Sequence, residues 1–322
     1  MKILVTGAAG FLGSYICEKY VNEGHVVLGL DNFMNGSLNN IRELLPKKNF
    51  KLLKGDVRKV KDFEHLMSEV GVIFHCAAQI HVDRSIVEPE LTIQCNVLGT
   101  LNVLELARKF DVKTLIHMST SEVYGSALYV PMDEKHPLNA PHPYGASKIA
   151  ADRLCFAYYK TYGVGVRIAR CFNIYGPRQK DSGYGGVISI FVRRVMDDYS
   201  PIIYGNGLQT RDYLYVKDAV EGLDSILKTK RQLDGEVINL GTGVEISILD
   251  LAKMIIELLD KKKDLAPVHI GARPGEVLRL CADITKAKRL LGFKPKYNVR
   301  DGLVDVINWY RSYKSFEWEK PG

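Results

Sequence analysis

The 322-residue sequence predicts an α/β fold, a doubly wound parallel sheet with a smaller C-terminal α/β lobe. The sheet is predicted because short apolar runs alternate with helical patterns as far as about Cys171. The opening run, Met1 to Val5, passes directly into a glycine-rich turn and a helical pattern that lasts to about Glu23. The lobe is predicted because the alternation breaks after Cys171, where several glycine-rich loops follow.

The remaining elements are predicted in chain order from the same patterns. Further strands are expected at 25–31, 50–56, 72–78, 114–119 and 165–170, and a strand-like run at 237–240 should rejoin the sheet. Helices are expected at 60–69, at 90–109, from Tyr144 to about Tyr162, and at 248–260. The carboxyl ends of these strands then share one edge of the sheet, where ligands bind in such folds.

Gly7, Gly10 and Gly13 form the turn between the first strand and the first helix. Such a turn needs residues without Cβ, because the backbone must approach a pyrophosphate at the positive end of the helix. Asp31 ends the next strand, where it can accept hydrogen bonds from an adenosine ribose and repel a 2′-phosphate. The pattern predicts a Rossmann-type site for NAD rather than NADP. A turn residue is the alternative interpretation of Asp31.

These predictions divide the chain into two parts. Residues 1–172 form the NAD-binding Rossmann domain, and residues 209–240 are expected to return to it. Residues 173–208 and 241–322 form the substrate-binding lobe over the cleft. The sequence contains no repeat, low-complexity segment or flexible linker, so the two parts should share one interface.

The composition favours a soluble, cytoplasmic enzyme with a substantial core. Hydrophobic residues make up 46% of the chain and charged residues 25%. No run of about eighteen apolar residues occurs, and Met1 leads straight into a core strand, so neither a membrane span nor a signal peptide is expected. The six cysteines are scattered and the eight histidines form no HxxxH or HxH set, so no metal is expected.

The formal net charge of +7 raises the question of nucleic-acid binding. The basic residues are spread along the chain and do not interleave with aromatic residues, which disfavours a nucleic-acid groove. A positive balance also suits an enzyme whose cofactor and substrate both carry phosphates.

Tyr144 and Lys148 are candidate catalytic residues because they lie at positions i and i+4 of one predicted helix. Residues so spaced share a helix face, so the phenol and the ammonium can point into one cleft. The cation is expected to lower the tyrosine pKa from about 10 toward neutrality. The phenol could then take a proton from a sugar hydroxyl as hydride leaves the same carbon. A solvated pair on the protein surface is the alternative.

A series of segments resembles the extended short-chain dehydrogenase/reductases that act on nucleotide sugars. The segments are TGAAGFLGS from Thr6, DN at 31–32, GDV at 55–57, HCAAQ at 75–79, STSEVYG from Ser119, YGASK from Tyr144, FNIYGPRQ from Phe172 and QTRDYLYVKD from Gln209. The resemblance covers essentially the whole chain. It implies a tightly held NAD that oxidises a sugar carbon, usually C4, to a ketone and later returns the hydride.

The resemblance also implies a role for each residue that matches a family motif. Tyr144 is the catalytic base, Lys148 holds the nicotinamide ribose and lowers the pKa of Tyr144, and Thr120 hydrogen-bonds the reacting hydroxyl. The implied cofactor contacts are Gly7, Gly10, Phe11, Leu12, Gly13, Asp31, Asn32, Asn35, Asp56, Val57, Cys76, Ala77, Ala78, Asn96, Ser119, Tyr144 and Lys148. The implied substrate contacts are Thr120 with Asn173, Arg211 and Arg273, of which the last three would hold the nucleotide diphosphate.

The arginines have structural as well as functional interpretations. Arg178 could be a surface loop charge and is left out of the predicted site. Arg211 could pair with Asp212 or Asp218 instead of a phosphate. Arg273 precedes Pro-Gly in a predicted loop, where functional residues often gather.

Two reactions remain open after the 4-keto intermediate. A C4 epimerase needs no further base, whereas a 4,6-dehydratase needs a carboxylate near C5. Glu122 is the candidate, because sugar dehydratases and uridine-diphosphate-glucuronate decarboxylases carry Glu there. The segment from His81 to Ile86 also resembles thymidine-diphosphate-glucose dehydratases, although Ser121 replaces their acidic residue.

The downstream half of the chain, at residues 175–179, 182–191, 204–207 and 210–213, resembles the substrate lobe of uridine-diphosphate-sugar 4-epimerases instead. C4 epimerisation of a nucleotide hexose, expected to be a UDP-sugar, is therefore favoured. The alternative is 4,6-dehydration, and decarboxylation of UDP-glucuronate comes third.

Hypotheses from other classes explain less of the sequence. A non-catalytic NAD-sensing protein would keep the glycine turn but would not need Thr120, Tyr144 and Lys148 together. A simple alcohol dehydrogenase would consume NAD stoichiometrically. The resemblance further implies a homodimer, which is also the commonest closed symmetry.

Overall fold

The structure is a computed structural model that describes residues 1–181, 185–261, 265–272 and 275–313. The strands in these ranges are β1 (Lys2–Thr6), β2 (Val26–Asp31), β3 (Phe50–Lys54), β4 (Val72–His75), β5 (Thr114–Thr120), β6 (Val166–Cys171), β7 (Asn173–Tyr175), β8 (Ile202–Tyr204), β9 (Thr210–Tyr215), β10 (Val237–Leu240), β11 (Glu245–Ser247) and β12 (Val268–Ile270). The α-helices are α1 (Phe11–Asn22), α2 (Val82–Val87), α3 (Pro89–Ile93), α4 (Gly99–Lys109), α5 (Pro143–Tyr162), α6 (Val187–Met196), α7 (Val216–Lys228), α8 (Ile248–Leu258), α9 (Thr285–Leu291) and α10 (Val299–Tyr313).

Seven strands form a central parallel sheet in the order β3, β2, β1, β4, β5, β6, β10. The chain continues from β1 toward one edge and from β4 toward the other, so the direction of winding reverses between these two strands. A crevice opens at such a reversal, outside the carboxyl ends of the strands. The predicted doubly wound α/β fold is confirmed.

Helices cover both faces of this sheet, which explains why its strands are apolar throughout. Along β1, Ile3 and Val5 pack into a core with residues of α1 and α7, while Leu4 packs into a second core with residues of α4 and α5. This alternation follows from the two-residue period of a strand. Burying each such side chain stabilises the fold by roughly 1.5–3 kcal/mol. The packed cores on both faces therefore hold the carboxyl edge of the sheet in place.

Two of the predicted helices differ from the observed elements. The segment 60–69 forms two 3-10 turns, Val60–Asp62 and Glu64–Leu66. Its apolar residues do pack inward, but the Asp62 carboxylate accepts the Asp56 backbone N–H at 3.0 Å and holds the chain in a tight turn. The segment 90–109 is helical but contains a π-helical stretch, Gln94–Leu98, between α3 and α4.

The lobe contains two small sheets. In the first, β9 pairs with β7 and β11, and in the second β8 pairs with β12. Helices α6, α8 and α10 pack together with the first of these sheets. Residues 210–215 were expected to return to the NAD-binding part, but they form β9 and lie outside the central sheet. Helix α7 and β10 do return to it, and the division into two domains stays a prediction.

None of the helices in the described ranges is long and apolar enough to cross a membrane. In the same ranges, no group of three or more His, Cys, Asp and Glu side chains is arranged to hold a metal ion.

Candidate active site

A cavity of about 860 Å³ lies between the carboxyl edge of the central sheet and the lobe. Most of the predicted site residues line it, namely Gly7, Gly10, Phe11, Leu12, Gly13, Asp31, Asn32, Asn35, Asp56, Val57, Cys76, Ala77, Ala78, Ser119, Thr120, Glu122, Tyr144, Lys148 and Asn173. Asn96 and Arg211 are not part of its wall, and Arg273 lies outside the described residues.

The glycine turn brings the start of α1 to the floor of the cavity. Gly7 adopts a φ of +71°, which residues with a side chain rarely adopt. A Cβ on Gly13 would lie 2.0 Å from the Gly7 carbonyl oxygen, so only glycine fits there. The residue that caps α1 is Gly10, which has no side chain to bond the first helical N–H groups. These groups and the helix dipole therefore form an anion site that suits a pyrophosphate.

Replacing Gly13 with alanine is expected to weaken NAD binding at least about tenfold, because the turn must shift by enough to relieve the clash. Isothermal titration with NAD measures this effect. Gly71→Ala is the matched control, since a Cβ at Gly71 meets no atom within 4 Å. An unchanged NAD affinity in Gly13→Ala would show that the turn does not hold the cofactor.

Asp31 is buried at the end of β2 and faces the same crevice. Its Oδ2 accepts the Ala9 N–H at 2.8 Å and its Oδ1 accepts the Phe33 N–H at 2.7 Å. Burial raises the pKa of Asp31 above its usual value, although these backbone N–H groups oppose the rise. The carboxylate is thus tied to the glycine turn, and its remaining lone pairs suit ribose hydroxyl donors.

Asp56 and Asn32 lie together where an adenine is expected. Burial alone would raise the pKa of Asp56, but hydrogen bonds from Arg58 and Asn32 outweigh it and lower the pKa to about 2. The Arg58 guanidinium donates to both carboxylate oxygens, and the Asn32 amide donates to Oδ2 at 3.0 Å. Arg58 was not among the predicted residues, and it acts by holding Asp56 in place.

Asn96 makes hydrogen bonds within the protein, and its predicted contact with the cofactor stays a prediction. Its amide accepts the Gln79 N–H at 2.7 Å and donates to the Gln79 carbonyl at 2.8 Å and to Ser147 at 2.9 Å. Asn96 therefore links the segment after β4 to helix α5.

Tyr144 and Lys148 both lie on the buried face of α5 and line the cavity. The Tyr144 phenol lies beside the Thr120 side chain, and both residues line the cavity. The Lys148 ammonium donates to the backbone carbonyl of Met118 at the end of β5. Helix α5 thus places the phenol beside Thr120 and the ammonium against the backbone of β5.

The structure reverses the expected direction of the Tyr144 pKa. Burial raises this pKa, the nearby Thr120 side chain offsets only part of the rise, and the charges of Glu122 and Asp152 add to it. Burial disfavours the charged form of Lys148 as well and so lowers the pKa of Lys148, although the Asp152 charge opposes this. The spacing of Tyr144 and Lys148 predicted their shared face correctly, but the desolvation of both groups could not be deduced from it.

Glu122 lies beside the Tyr144–Thr120 pair and is held by His142. Its Oε2 is 3.1 Å from Nε2 of His142. Nδ1 of His142 accepts the Gly145 N–H and caps α5, so Nε2 carries the proton and donates to Glu122. Burial alone would raise the pKa of Glu122, but the hydrogen bond from His142 and the charge of Arg211 outweigh it, so the pKa is lowered. The cavity therefore contains an ionised carboxylate.

The sequence analysis missed two further residues of the site. His142 has the signal of a helix cap, because it directly precedes a proline at the first helical position. Arg178 lines the cavity although it was left out of the prediction. Its guanidinium lies 4.4 Å from the centre of the Tyr15 ring and pairs with Glu18. Each residue joins segments distant in the chain, which local patterns do not reveal.

Arg211 has a different partner from those expected. Its guanidinium pairs with Glu276 at 2.9 Å and donates to the Thr210 carbonyl. Asp212 instead accepts hydrogen bonds from Thr242, among other groups. Although Arg211 is paired with Glu276, its positive charge lowers the pKa of Glu122.

The known proteins that this chain resembles belong to one family, but their names describe two different reactions. A family model described as GDP-mannose 4,6 dehydratase matches residues 4–306. The chain is 39% identical over 313 residues to a putative UDP-glucose 4-epimerase of Methanocaldococcus jannaschii, which covers 96% of this chain and 98% of that protein. It is 34% identical over 326 residues to a dTDP-glucose 4,6-dehydratase of Streptomyces niveus, with 99% and 95% covered.

Solved structures show the same division. The UDP-glucose 4-epimerase of Thermotoga maritima, solved with UDP-glucose, superimposes with a TM-score of 0.92 at 32% identity and covers 98% of this chain and 100% of that chain. The dTDP-glucose 4,6-dehydratase of Streptomyces venezuelae, solved with NAD, has a TM-score of 0.91 at 32% identity and covers 98% of each chain.

Proposed function

Because the chain belongs to the family of NAD-dependent nucleotide-sugar epimerases and dehydratases, within the extended short-chain dehydrogenase/reductases, we propose that it epimerises C4 of a nucleotide hexose. The expected substrate is a UDP-sugar. NAD is the cofactor of this family, and the residues of the glycine turn and Asp31 fit it.

The placement of the Tyr144 phenol beside the Thr120 side chain inside the cavity is the observation that carries the proposal. In the proposed reaction Tyr144 takes the proton of the C4 hydroxyl, and Thr120 hydrogen-bonds the same oxygen. NAD, when bound, supplies the acceptor for the hydride that leaves C4. The hydride would return to the opposite face of the ketone, and Tyr144 would give the proton back to the C4 oxygen.

The raised pKa of Tyr144 adds a condition to this mechanism. A buried phenol stays protonated near neutral pH, so it becomes a base only where positive charge stabilises the phenolate. The ammonium of Lys148 lies one turn further along α5 and is the cation that this chain provides. Lys148 would then serve both the cofactor ribose and Tyr144.

A 4,6-dehydratase is the second candidate because the cavity holds an ionised carboxylate. Glu122, with a lowered pKa, could remove the C5 proton from the 4-ketone before water leaves from C6. Epimerisation has no need of this carboxylate. Decarboxylation of UDP-glucuronate remains the third possibility, and a UDP-glucuronic acid decarboxylase of Xenopus tropicalis is 34% identical to the chain.

The product mass distinguishes these reactions. The purified protein is incubated with UDP-glucose, UDP-N-acetylglucosamine, UDP-glucuronate, dTDP-glucose and GDP-mannose, and each product is analysed by mass spectrometry and chromatography. We expect an isomer of unchanged mass from a UDP-sugar, with no net reduced cofactor. Loss of one water or of carbon dioxide would instead identify the dehydratase or the decarboxylase, and stoichiometric NADH would identify a simple dehydrogenase.

The assembly and location of the protein stay predictions. We propose a homodimer in the cytoplasm. Sedimentation velocity on the purified protein measures the assembly, and a single species of monomer mass would contradict it.

A further inference from the structure

A serine in the segment after β4 contacts the backbone of the candidate base. Ser85 lies in α2, is completely buried, and accepts the Tyr144 backbone N–H with its Oγ at 3.1 Å. The Ser85 hydroxyl itself donates to the Val82 carbonyl at 2.6 Å, which leaves its lone pairs for Tyr144. The two residues are 59 positions apart in the sequence, so this bond ties α2 to the first turn of α5.

The bond from Tyr144 to Ser85 completes the hydrogen bonding of the first three residues of α5. The first N–H groups of a helix have no partner within the helix and must be satisfied from outside it. Pro143 has no N–H, and the Gly145 N–H donates to Nδ1 of His142. Ser85 supplies the remaining acceptor, for Tyr144, and it comes from a distant segment. The position of this turn therefore depends on α2.

A second serine holds the carbonyl side of Tyr144. The Ser147 hydroxyl donates to the Tyr144 carbonyl at 2.6 Å and accepts from the Asn96 amide at 2.9 Å. The buried Gln79 side chain bonds both the backbone N–H and the carbonyl of His81, the residue just before α2. Asn96 in turn bonds the backbone of Gln79. One buried network thus holds the peptide groups on both sides of Tyr144.

The backbone of Tyr144 determines where its phenol lies. The phenol is buried beside Thr120, so it has little room to compensate for a displaced backbone. Proton transfer requires donor and acceptor within hydrogen-bond reach, and a displacement of about 1 Å can slow a reaction by roughly 10²-fold. A bond that fixes this backbone therefore affects the rate as well as the stability of the helix.

We propose that Ser85 is a positioning residue whose hydroxyl fixes the Tyr144 backbone, so that the phenol meets the reacting oxygen beside Thr120. This inference rests on the proposed function, in which Tyr144 is the base. Proton transfer at Tyr144 belongs to the oxidation of C4, which epimerisation and dehydration share. The segment 81–86, which resembles dehydratases, thus serves the shared step in this chain and does not by itself favour loss of water.

Steady-state kinetics of Ser85→Ala in the full-length protein test this role. The substrate is UDP-glucose, or whichever of the five nucleotide sugars named above the wild type converts. The Tyr144 N–H loses its acceptor, so kcat is expected to fall roughly 10–100-fold. The KM for the same sugar and the bound NAD content should change by less than about twofold, since Ser85 is not part of the cavity wall.

Ser247→Ala is the matched control. Ser247 accepts the Asp250 N–H at 3.0 Å in the first turn of α8 and is not part of the cavity wall either. Both variants should lower the melting temperature, Ser85→Ala by more because its site is buried. Only Ser85→Ala should lower kcat.

A double-mutant cycle separates positioning of the phenol from a general weakening of the fold. In Tyr144→Phe no phenol hydroxyl is left to position, so adding Ser85→Ala should cause no further loss of the residual rate. Losses that multiply would overturn the role of Ser85, and so would an unchanged kcat in Ser85→Ala.

A second variant provides the same test if Ser85→Ala does not fold. Ser85→Cys nearly keeps the shape of the side chain, but sulfur is a weak acceptor, so kcat should again fall while KM persists. A wild type that converts none of the five sugars, or a Tyr144→Phe variant with unchanged turnover, would overturn the proposed function and the role of Ser85 with it. Loss of turnover in Tyr144→Phe with full turnover in Ser85→Cys would overturn the role of Ser85 alone.

Discussion

Replacing Tyr144 with phenylalanine is expected to slow turnover of the nucleotide sugar by about 10²–10⁴-fold, because the reaction loses its general base. The ring is retained and α5 should fold as before, so bound NAD should remain. Initial rates of product formation and the NAD content of the purified variant measure the two effects. Tyr162→Phe is the control, since Tyr162 lies on the same helix but is 55% exposed.

The pH dependence of the wild-type rate tests the same residue. Since burial raises the Tyr144 pKa, the phenolate fraction grows as the pH rises above neutrality, and the rate should rise with it. Tyr144→Phe should lose this rise together with the activity. Unchanged turnover in Tyr144→Phe would show that Tyr144 is not the general base.

The sequence was most informative where a function depends on neighbouring residues. The anion site at Gly7, Gly10 and Gly13 depends only on one strand, one helix and the absence of Cβ atoms. The structure shows why glycine is needed, because a Cβ on Gly13 would lie 2.0 Å from the Gly7 carbonyl oxygen. The shared face of Tyr144 and Lys148 follows in the same way from helix geometry alone. These features could be predicted because no distant contact decides them.

The features that could not be predicted depend on contacts between distant segments. Arg211 pairs with Glu276, far along the chain, rather than with the nearer acids. The direction of the Tyr144 pKa depends on burial, which only the assembled cavity determines. The helix expected at 60–69 had a suitable apolar pattern, but the bond from the Asp56 backbone to Asp62 favours short turns.

Replacing Glu122 with glutamine is expected to separate the two candidate reactions. Glutamine keeps the size of the side chain but cannot accept a proton, so dehydration should fall by about 10²–10⁴-fold while epimerisation persists. Product mass and rate are measured for the wild type and the variant with each substrate that the wild type converts. If Glu122→Gln still binds NAD but no longer epimerises the substrate, the mechanism cannot need only Tyr144 and Thr120.

His142 offers a finer test because it both caps α5 and donates to Glu122. Serine is a good helix cap, so His142→Ser should keep the Gly145 N–H satisfied. Because the buried imidazole and its hydrogen bond to Glu122 are lost, the free energy of unfolding should still fall by roughly 1–3 kcal/mol. The hydrogen bond that lowers the Glu122 pKa is lost, whereas burial still raises it. The folded-state pKa of Glu122 should therefore rise in His142→Ser.

The sign of the resulting pH effect follows from the role of Glu122 as a base. A base works only when it is deprotonated, so a reaction that uses Glu122 is lost as the pH falls through its pKa. In His142→Ser this acid limb should move to higher pH, because the pKa is higher. An epimerase that does not use Glu122 should show the same acid limb in both proteins. Coincident profiles in an enzyme that releases water would show that His142 does not control the ionisation of Glu122.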